Sequence, residues 1–144
     1  MTEIAFHFNV PDRLAYACRL LRKATRQGAR VAVTAPLATL RGLDRALWIF
    51  EPEEFVAHAL LPAGAAAPER LAPTPVWLAE RADDVAAVHE VLVNLGSETP
   101  PGFERYARLI EIVGTDEAER AAARSRWKHY AARGYALQGH EASG

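Results

Sequence analysis

Residues 1–34 carry the tightest constraint on the fold. In Ile4-Ala5-Phe6-His7-Phe8, alternation puts Ile4, Phe6 and Phe8 on one face of a short strand. Pro11 and Asp12 then open a helix in which Leu14, Ala17, Cys18, Leu21 and Ala24 or Thr25 recur at helical spacing, up to a stop at Gly28. Arg30-Val31-Ala32-Val33-Thr34 follows at once, with the brevity and β-branched content of a buried strand. A strand, a crossover of about twenty residues with a helix inside it, and a second strand describe a parallel β-α-β unit with the helix packed on the sheet.

The rest of the chain continues the pattern. After Pro36 a second helix runs through Leu37, Leu40, Leu43 and Leu47. Val76–Ala79 and Val91–Leu95 are strand candidates, separated by the charged stretch Glu80–Asp84. Gly96–Gly102 is a turn, Phe103–Tyr106 a short helix, and Leu109–Val113 a further alternating strand. Leu60–Pro75 is rich in alanine and proline without helical period and is expected as an exposed loop. The expected fold is therefore α/β: one domain over 1–137, a Rossmann-like and mostly parallel sheet flanked by helices, with 138–144 as a flexible C-terminal tail.

A chain of 144 residues that is 50% hydrophobic is long enough for one real core. Its 17 basic and 18 acidic residues nearly cancel, so no global field drives it to nucleic acid or membrane, and any such contact must be local. A single cysteine, Cys18, excludes an internal disulfide, and its place on an apolar helix stripe reads as an inert small hydrophobe. The N-terminus has no basic region followed by an apolar run, and no segment reaches the ~20 apolar residues of a membrane span, so a cytoplasmic protein is expected.

Catalytic and cofactor motifs are hard to find. The turn Asn9-Val10-Pro11-Asp12 after the first strand has no glycine-rich phosphate loop, so the Rossmann-like shape implies no nucleotide, and no cofactor is expected. His7, His58, His89, His129 and His140 show no metal-ligand spacing, and no metal is expected. Asp83-Asp84 reads as a solvated turn, and no nucleophile elbow is present.

The chemistry gathers instead in the last helix. Thr115 is its expected N-cap, acids fill its first turn, cations its later turns, and Gly134 closes it after about five turns. Arg120, Arg124, Trp127 and Ala131 fall in one stripe with Lys128 on its flank. Ala118, Ala121, Ala122, Ser125 and His129 lie opposite, and that small side is the one expected to pack. The result is an outward cationic face with an indole in its middle. The bland alternative makes it an ordinary charged surface, with cations placed by the helix dipole and Trp127 a half-covered rim residue. Around Trp48-Ile49-Phe50 and Phe55, further aromatics flank an acidic turn, as core or as interface anchors.

Leu43-Asp44-Arg45-Ala46-Leu47-Trp48, then Glu54-Phe55-Val56-Ala57-His58-Ala59-Leu60, then Glu111-Ile112-Val113 leading into Arg124-Ser-Arg126-Trp127-Lys128-His129-Tyr130-x-x-x-Gly134-Tyr135-x-Leu137, together resemble the chi subunit of bacterial DNA polymerase III holoenzyme. The resemblance covers nearly the whole chain. It implies a Rossmann-like, non-catalytic accessory protein of the clamp-loader assembly that binds the acidic C-terminal tail of single-stranded DNA-binding protein and so meets DNA only indirectly. The family's tail-binding positions carry over onto Val113, Arg120, Arg124, Trp127 and Lys128. Tyrosine is frequent in the family where this chain has Trp127, and lysine where it has Arg120. A second family surface, for the psi subunit, carries over onto Trp48 and Phe55. Two other classes stand beside this one: a module that binds single-stranded DNA directly, with Trp127 stacked on a base, and an enzyme with converging polar groups at the C-terminal ends of its strands.

Overall fold

In the computed structural model the structure describes residues 1–49, 56–63, 74–85 and 89–142. The alternating run at the N-terminus forms β1 (Glu3–Val10), and the helical run forms α1 (Arg13–Arg26), whose N-cap Asp12 accepts a hydrogen bond from the Ala15 N–H. β2 (Val31–Thr34) and α2 (Leu37–Ile49) follow, with Leu40, Leu43 and Leu47 on the buried stripe of α2. His58–Leu61 is a strand, β3, not expected from the sequence, and its last two residues fall in the segment expected as a loop. Residues 64–73 of that expected loop lie outside the described residues. β4 (Val76–Ala79), β5 (Val91–Asn94) and β6 (Arg108–Gly114) stand where strands were expected, with short 3-10 turns at Ala82–Asp84 and Phe103–Arg105. The chain closes with α3 (Glu117–Ala132) and β7 (Leu137–Glu141).

Among the described residues seven strands form one sheet in the order β3-β4-β2-β5-β6-β1-β7. Every pairing is parallel, so the sheet is more regular than the mostly parallel one expected. β1 and β2 are parallel, as a β-α-β unit requires, but β5 and β6 lie between them. Both faces are covered, which explains why β2, β4 and β5 read as short, almost wholly apolar runs. Val31, Val33, Val93, Ile110 and Ile112 point to the side of α1 and α2 and pack with Ala17, Cys18, Leu21, Leu40 and Leu43. Ile4, Phe6, Ala32, Leu92, Leu109 and Val113 point the other way, to α3 and the 3-10 turns, and pack with Phe103, Tyr106, Ala123 and Tyr130. Cys18 is buried in the first of these layers, where burial pushes its thiol up to about 11, as suits an inert side chain.

The C-terminal segment departs from expectation. Leu137–Glu141 is an edge strand rather than a flexible tail: Ile4 pairs with Leu137, Phe6 with Gly139 and Phe8 with Glu141. Its sequence is polar because four of its five residues are exposed at the edge of the sheet, so no apolar face is needed and the period-2 signal is lost.

Candidate functional site

Helix α3 carries most of the predicted site, and what holds it on the sheet is polar. Its N-cap is Asp116, one residue beyond the expected Thr115, and the Asp116 carboxylate accepts from the N–H groups of Ala118 and Glu119. The Cα of Gly134, at φ +84, gives the left-handed turn that ends the helix. The packed face is Ala123, Arg126 and Tyr130, not the expected face of Ala118, Ala121, Ala122, Ser125 and His129, most of which is exposed. The reason lies one strand away. Glu111, in the middle of β6, is 0% exposed and would be ruinous unpaired. Its carboxylate accepts from Arg126 Nε at 3.1 Å, from the Tyr130 hydroxyl at 2.7 Å and from Asn94 Nδ2 at 2.9 Å. Arg126 also donates to the Ser97 carbonyl at 2.7 Å, tying the turn after β5 to the helix. Burial pushes the Glu111 carboxyl above its ordinary value, and the Arg126 charge and the three donors pull it back. Burial likewise raises the Tyr130 hydroxyl, which stays a donor.

With Arg126 turned inward, the stripe of Arg120, Arg124 and Trp127, flanked by Lys128, lies along the flank of the sheet with its side chains exposed. A helix is about 10 Å across and covers roughly two strands at ~4.8 Å spacing, so the edge beyond α3 is left uncovered. There a groove of about 490 Å³ is lined by Phe6, Phe8, Asn9, Val113, Arg120, Ala123, Arg124, Trp127, Lys128 and Gly139. All five predicted tail-binding residues are in it. Val113, at 3% exposure, belongs to its floor. Trp127 is 37% exposed, since its ring lies against Phe6 with centroids 5.1 Å apart. Arg120, Arg124 and Lys128 are exposed along the wall. Arg124 is not idle: it donates to Glu117 Oε1 at 2.9 Å, and this hydrogen bond holds the Glu117 carboxyl below its ordinary value.

Five lining residues, Phe6, Phe8, Asn9, Ala123 and Gly139, were not singled out as part of the site. Phe6 and Phe8 were visible as one face of β1, but as core rather than as floor. Asn9 sits at φ 57, a conformation asparagine tolerates, where the β1–β6 register shifts between His7 and Val10. Gly139 was hidden in the expected tail. A Cβ placed there would meet the Phe8 ring at 3.5 Å, so the missing side chain is what keeps this part of the floor low.

The crevice at the C-terminal ends of the strands, where an enzyme of this fold would do its chemistry, is different. Shallow clefts of about 520 and 400 Å³ open there, lined by Asp12, Thr39, Asp116 and Glu119 and by Thr34, Glu80, Asn94 and Glu98 among others, beside a smaller one of about 180 Å³ lined by Arg13, Ser97, Glu119 and Arg126 among others. In the smaller one the polar groups are already bonded: Arg13 to the Leu95 carbonyl at 2.7 Å and to Glu119 at 3.3 Å, and Arg126 to Glu111 and Ser97. Among the described residues no group of three or more His, Cys, Asp and Glu side chains could hold a metal ion. Asp83 pairs with Arg105 at 3.3 Å on the surface, in keeping with a solvated turn. No helix of the described residues is long and apolar enough to cross a membrane.

The other predicted surface is only half in view. Trp48 is 61% and Ile49 71% exposed at the end of α2, and the Trp48 ring stands edge-on to His58 of β3 with centroids 5.3 Å apart. His58 is fixed in turn by Asp44 at 2.9 Å and the Val56 carbonyl at 2.7 Å. Phe55 lies outside the described residues.

Residues 1–138 match the sequence model of the DNA polymerase III chi subunit family, HolC. The DNA polymerase III subunit chi of Pseudomonas aeruginosa is 37% identical, over 97% of this chain and 96% of that protein. That of Haemophilus influenzae is 31% identical, over 84% of this chain and 81% of its own length. Among solved structures, the C-terminal domain of S. cerevisiae Dbp5 is similar with a TM-score of 0.64 over 98% of this chain and 90% of that one; at 13% identity the likeness is one of fold.

Proposed function

The chain belongs to the DNA polymerase III chi subunit family, and from that premise we propose that it is a non-catalytic accessory subunit whose α3 groove binds the acidic C-terminal tail of single-stranded DNA-binding protein. The observation that carries this reading is the convergence of Val113, Arg120, Arg124, Trp127 and Lys128 on one groove with an aromatic floor and a cationic wall. A carboxylate seeks charge-assisted hydrogen bonds, and three cations on successive turns of one helix provide donors along ~12 Å of wall. An apolar terminal side chain seeks a dry seat, which Trp127, Phe6 and Val113 form. Because a disordered tail must be ordered on binding, and because exposed charges are screened within ~8 Å at physiological ionic strength, the affinity is modest and falls with added salt. Trp48 and Ile49 supply the exposed apolar anchor of a second surface, for the psi subunit.

The test is a titration with a synthetic peptide of the partner's own C-terminal tail, in free-acid and amidated forms. Arg124→Ala and Trp127→Ala are each expected to weaken binding at least tenfold, about 1.4 kcal/mol, and amidation to weaken it similarly. Unchanged affinity in both variants sinks the assignment.

A further inference from the structure

We propose that the free edge of β7 is a second half of this site, a strand-addition edge that takes the main chain of the acidic peptide upstream of its carboxylate end. The inference rests on the groove's being a peptide site, and goes beyond it by assigning where the rest of the peptide lies.

Among the described residues β7 is the last strand in the sheet order, and Gln138, Gly139, His140 and Glu141 are exposed. Its ladder with β1 fixes which of its backbone groups are already used. Ile4 N–H donates to the Ala136 carbonyl at 3.2 Å, and Ala142 N–H donates to the Phe8 carbonyl at 2.9 Å. In a parallel ladder one strand's bonding residues alternate, with N–H and C=O of the same residue on the same side. With Ile4 paired to Leu137, Phe6 to Gly139 and Phe8 to Glu141, the residues turned toward β1 are Ala136, Gln138, His140 and Ala142. Leu137, Gly139 and Glu141 therefore present their N–H and C=O groups outward, at the free edge. No proline and no bulge blocks this edge, the usual means by which a sheet refuses an added strand.

Gly139 joins the two halves. It lines the groove, it carries an outward backbone pair, and it has no side chain to separate the groove floor from the edge. A peptide leaving the groove across it is delivered onto Leu137 and Gly139 in extended form, the geometry of strand addition. Charge sets the direction. Glu141 repels an acidic segment at the C-terminal end of β7, whereas Arg133, exposed at the end of α3, stands near its start. The carboxylate end is held by Arg120, Arg124 and Lys128, so the upstream residues run back toward Arg133, and the added strand lies parallel to β7 like every other strand of the sheet.

Amide hydrogen exchange on the full chain tests this residue by residue. A tail peptide of about twelve residues, long enough at ~3.3 Å per residue to leave the groove and cover β7, should slow exchange at the Leu137 and Gly139 amides at least tenfold. Gln138 and His140, already bonded to β1, should not change. A version cut to about its last four residues should bind the groove and leave Leu137 and Gly139 as they are in the free protein. If the long peptide binds, perturbing Trp127, and Leu137 and Gly139 still exchange freely, strand addition is overturned while the groove assignment stands. If no peptide binds, both fall. Protection of the two amides that grows with protein concentration in the absence of peptide overturns the proposal in favour of pairing between two copies of this chain.

Discussion

Arg124 meets any incoming carboxylate already engaged, because Glu117, two turns back on the same helix face, accepts from it at 2.9 Å. Both side chains are largely in water, so the pair holds Arg124 in place without holding it tightly. Glu117 is thus an intramolecular competitor that keeps the guanidinium extended along the wall in the free protein and yields to a ligand carboxylate. Glu117→Gln removes the competing charge and leaves the helix cap, Asp116, untouched. We expect the variant to bind the tail peptide about two- to fivefold more tightly, the size of a lost surface pair, with the gain fading as salt is raised. Isothermal titration of the two proteins at low and high salt measures it. Weaker binding by the variant would mean that Glu117 positions Arg124 instead of competing for it.

At the scale of the elements, α3 is fixed by the Glu111, Arg126 and Tyr130 network, and this is also why its orientation was hard to read. Strands β1, β2, β4, β5 and β6 and helices α1 and α2 were legible because their buried faces are apolar with the right period, as in Val31-Ala32-Val33 and Leu40, Leu43, Leu47. For α3 the buried stripe is Ala123, Arg126 and Tyr130, and a buried arginine contradicts the pattern on which such reading depends. The available signal was Glu111 standing alone in an apolar strand, a charge that needed a partner from the next element. Strand β7 was missed for the converse reason, since its stability comes from backbone pairing with β1 and its side chains face water. If the network holds α3, then Arg126→Met should destabilise the fold by about 3–5 kcal/mol at pH 7.5, because Glu111 is left buried without its countercharge. The pH dependence has a definite sign. The folded carboxyl titrates above its ordinary value through burial, and above its unfolded value near 4.3. Without Arg126 it rises further, so the unfolded state loses its proton first as pH increases. Stability of the variant therefore falls as pH rises from about 4.3 through the folded value, and part of the loss is recovered on acidification to pH 5. Urea unfolding at the two pH values checks this, and an equal loss at both would point to packing rather than charge.

Across the whole molecule the two exposed surfaces sit at opposite edges of one rigid sheet. Trp48 packs beside β3, the first strand in the order, and the groove lies against β7, the last. Six inter-strand intervals at ~4.8 Å separate them by roughly 29 Å. That is well beyond the ~8 Å over which exposed charges are felt and the ~7–10 Å over which substitutions couple. The α2 layer and the α3 layer also pack on opposite faces, so nothing described links the two surfaces except the sheet itself. The arrangement suits a connector that holds one partner at each end without either altering the other. Trp48→Ala should leave the affinity for the tail peptide within about twofold of wild type, Trp127→Ala should leave psi binding equally unaffected, and in the doubly substituted chain each loss should equal that of its single variant. Titrations of all three variants against both ligands decide the matter. A tenfold loss of tail affinity in Trp48→Ala would show that the sheet transmits a conformational change from one edge to the other, and that the chain is a switch between its partners instead of a passive link.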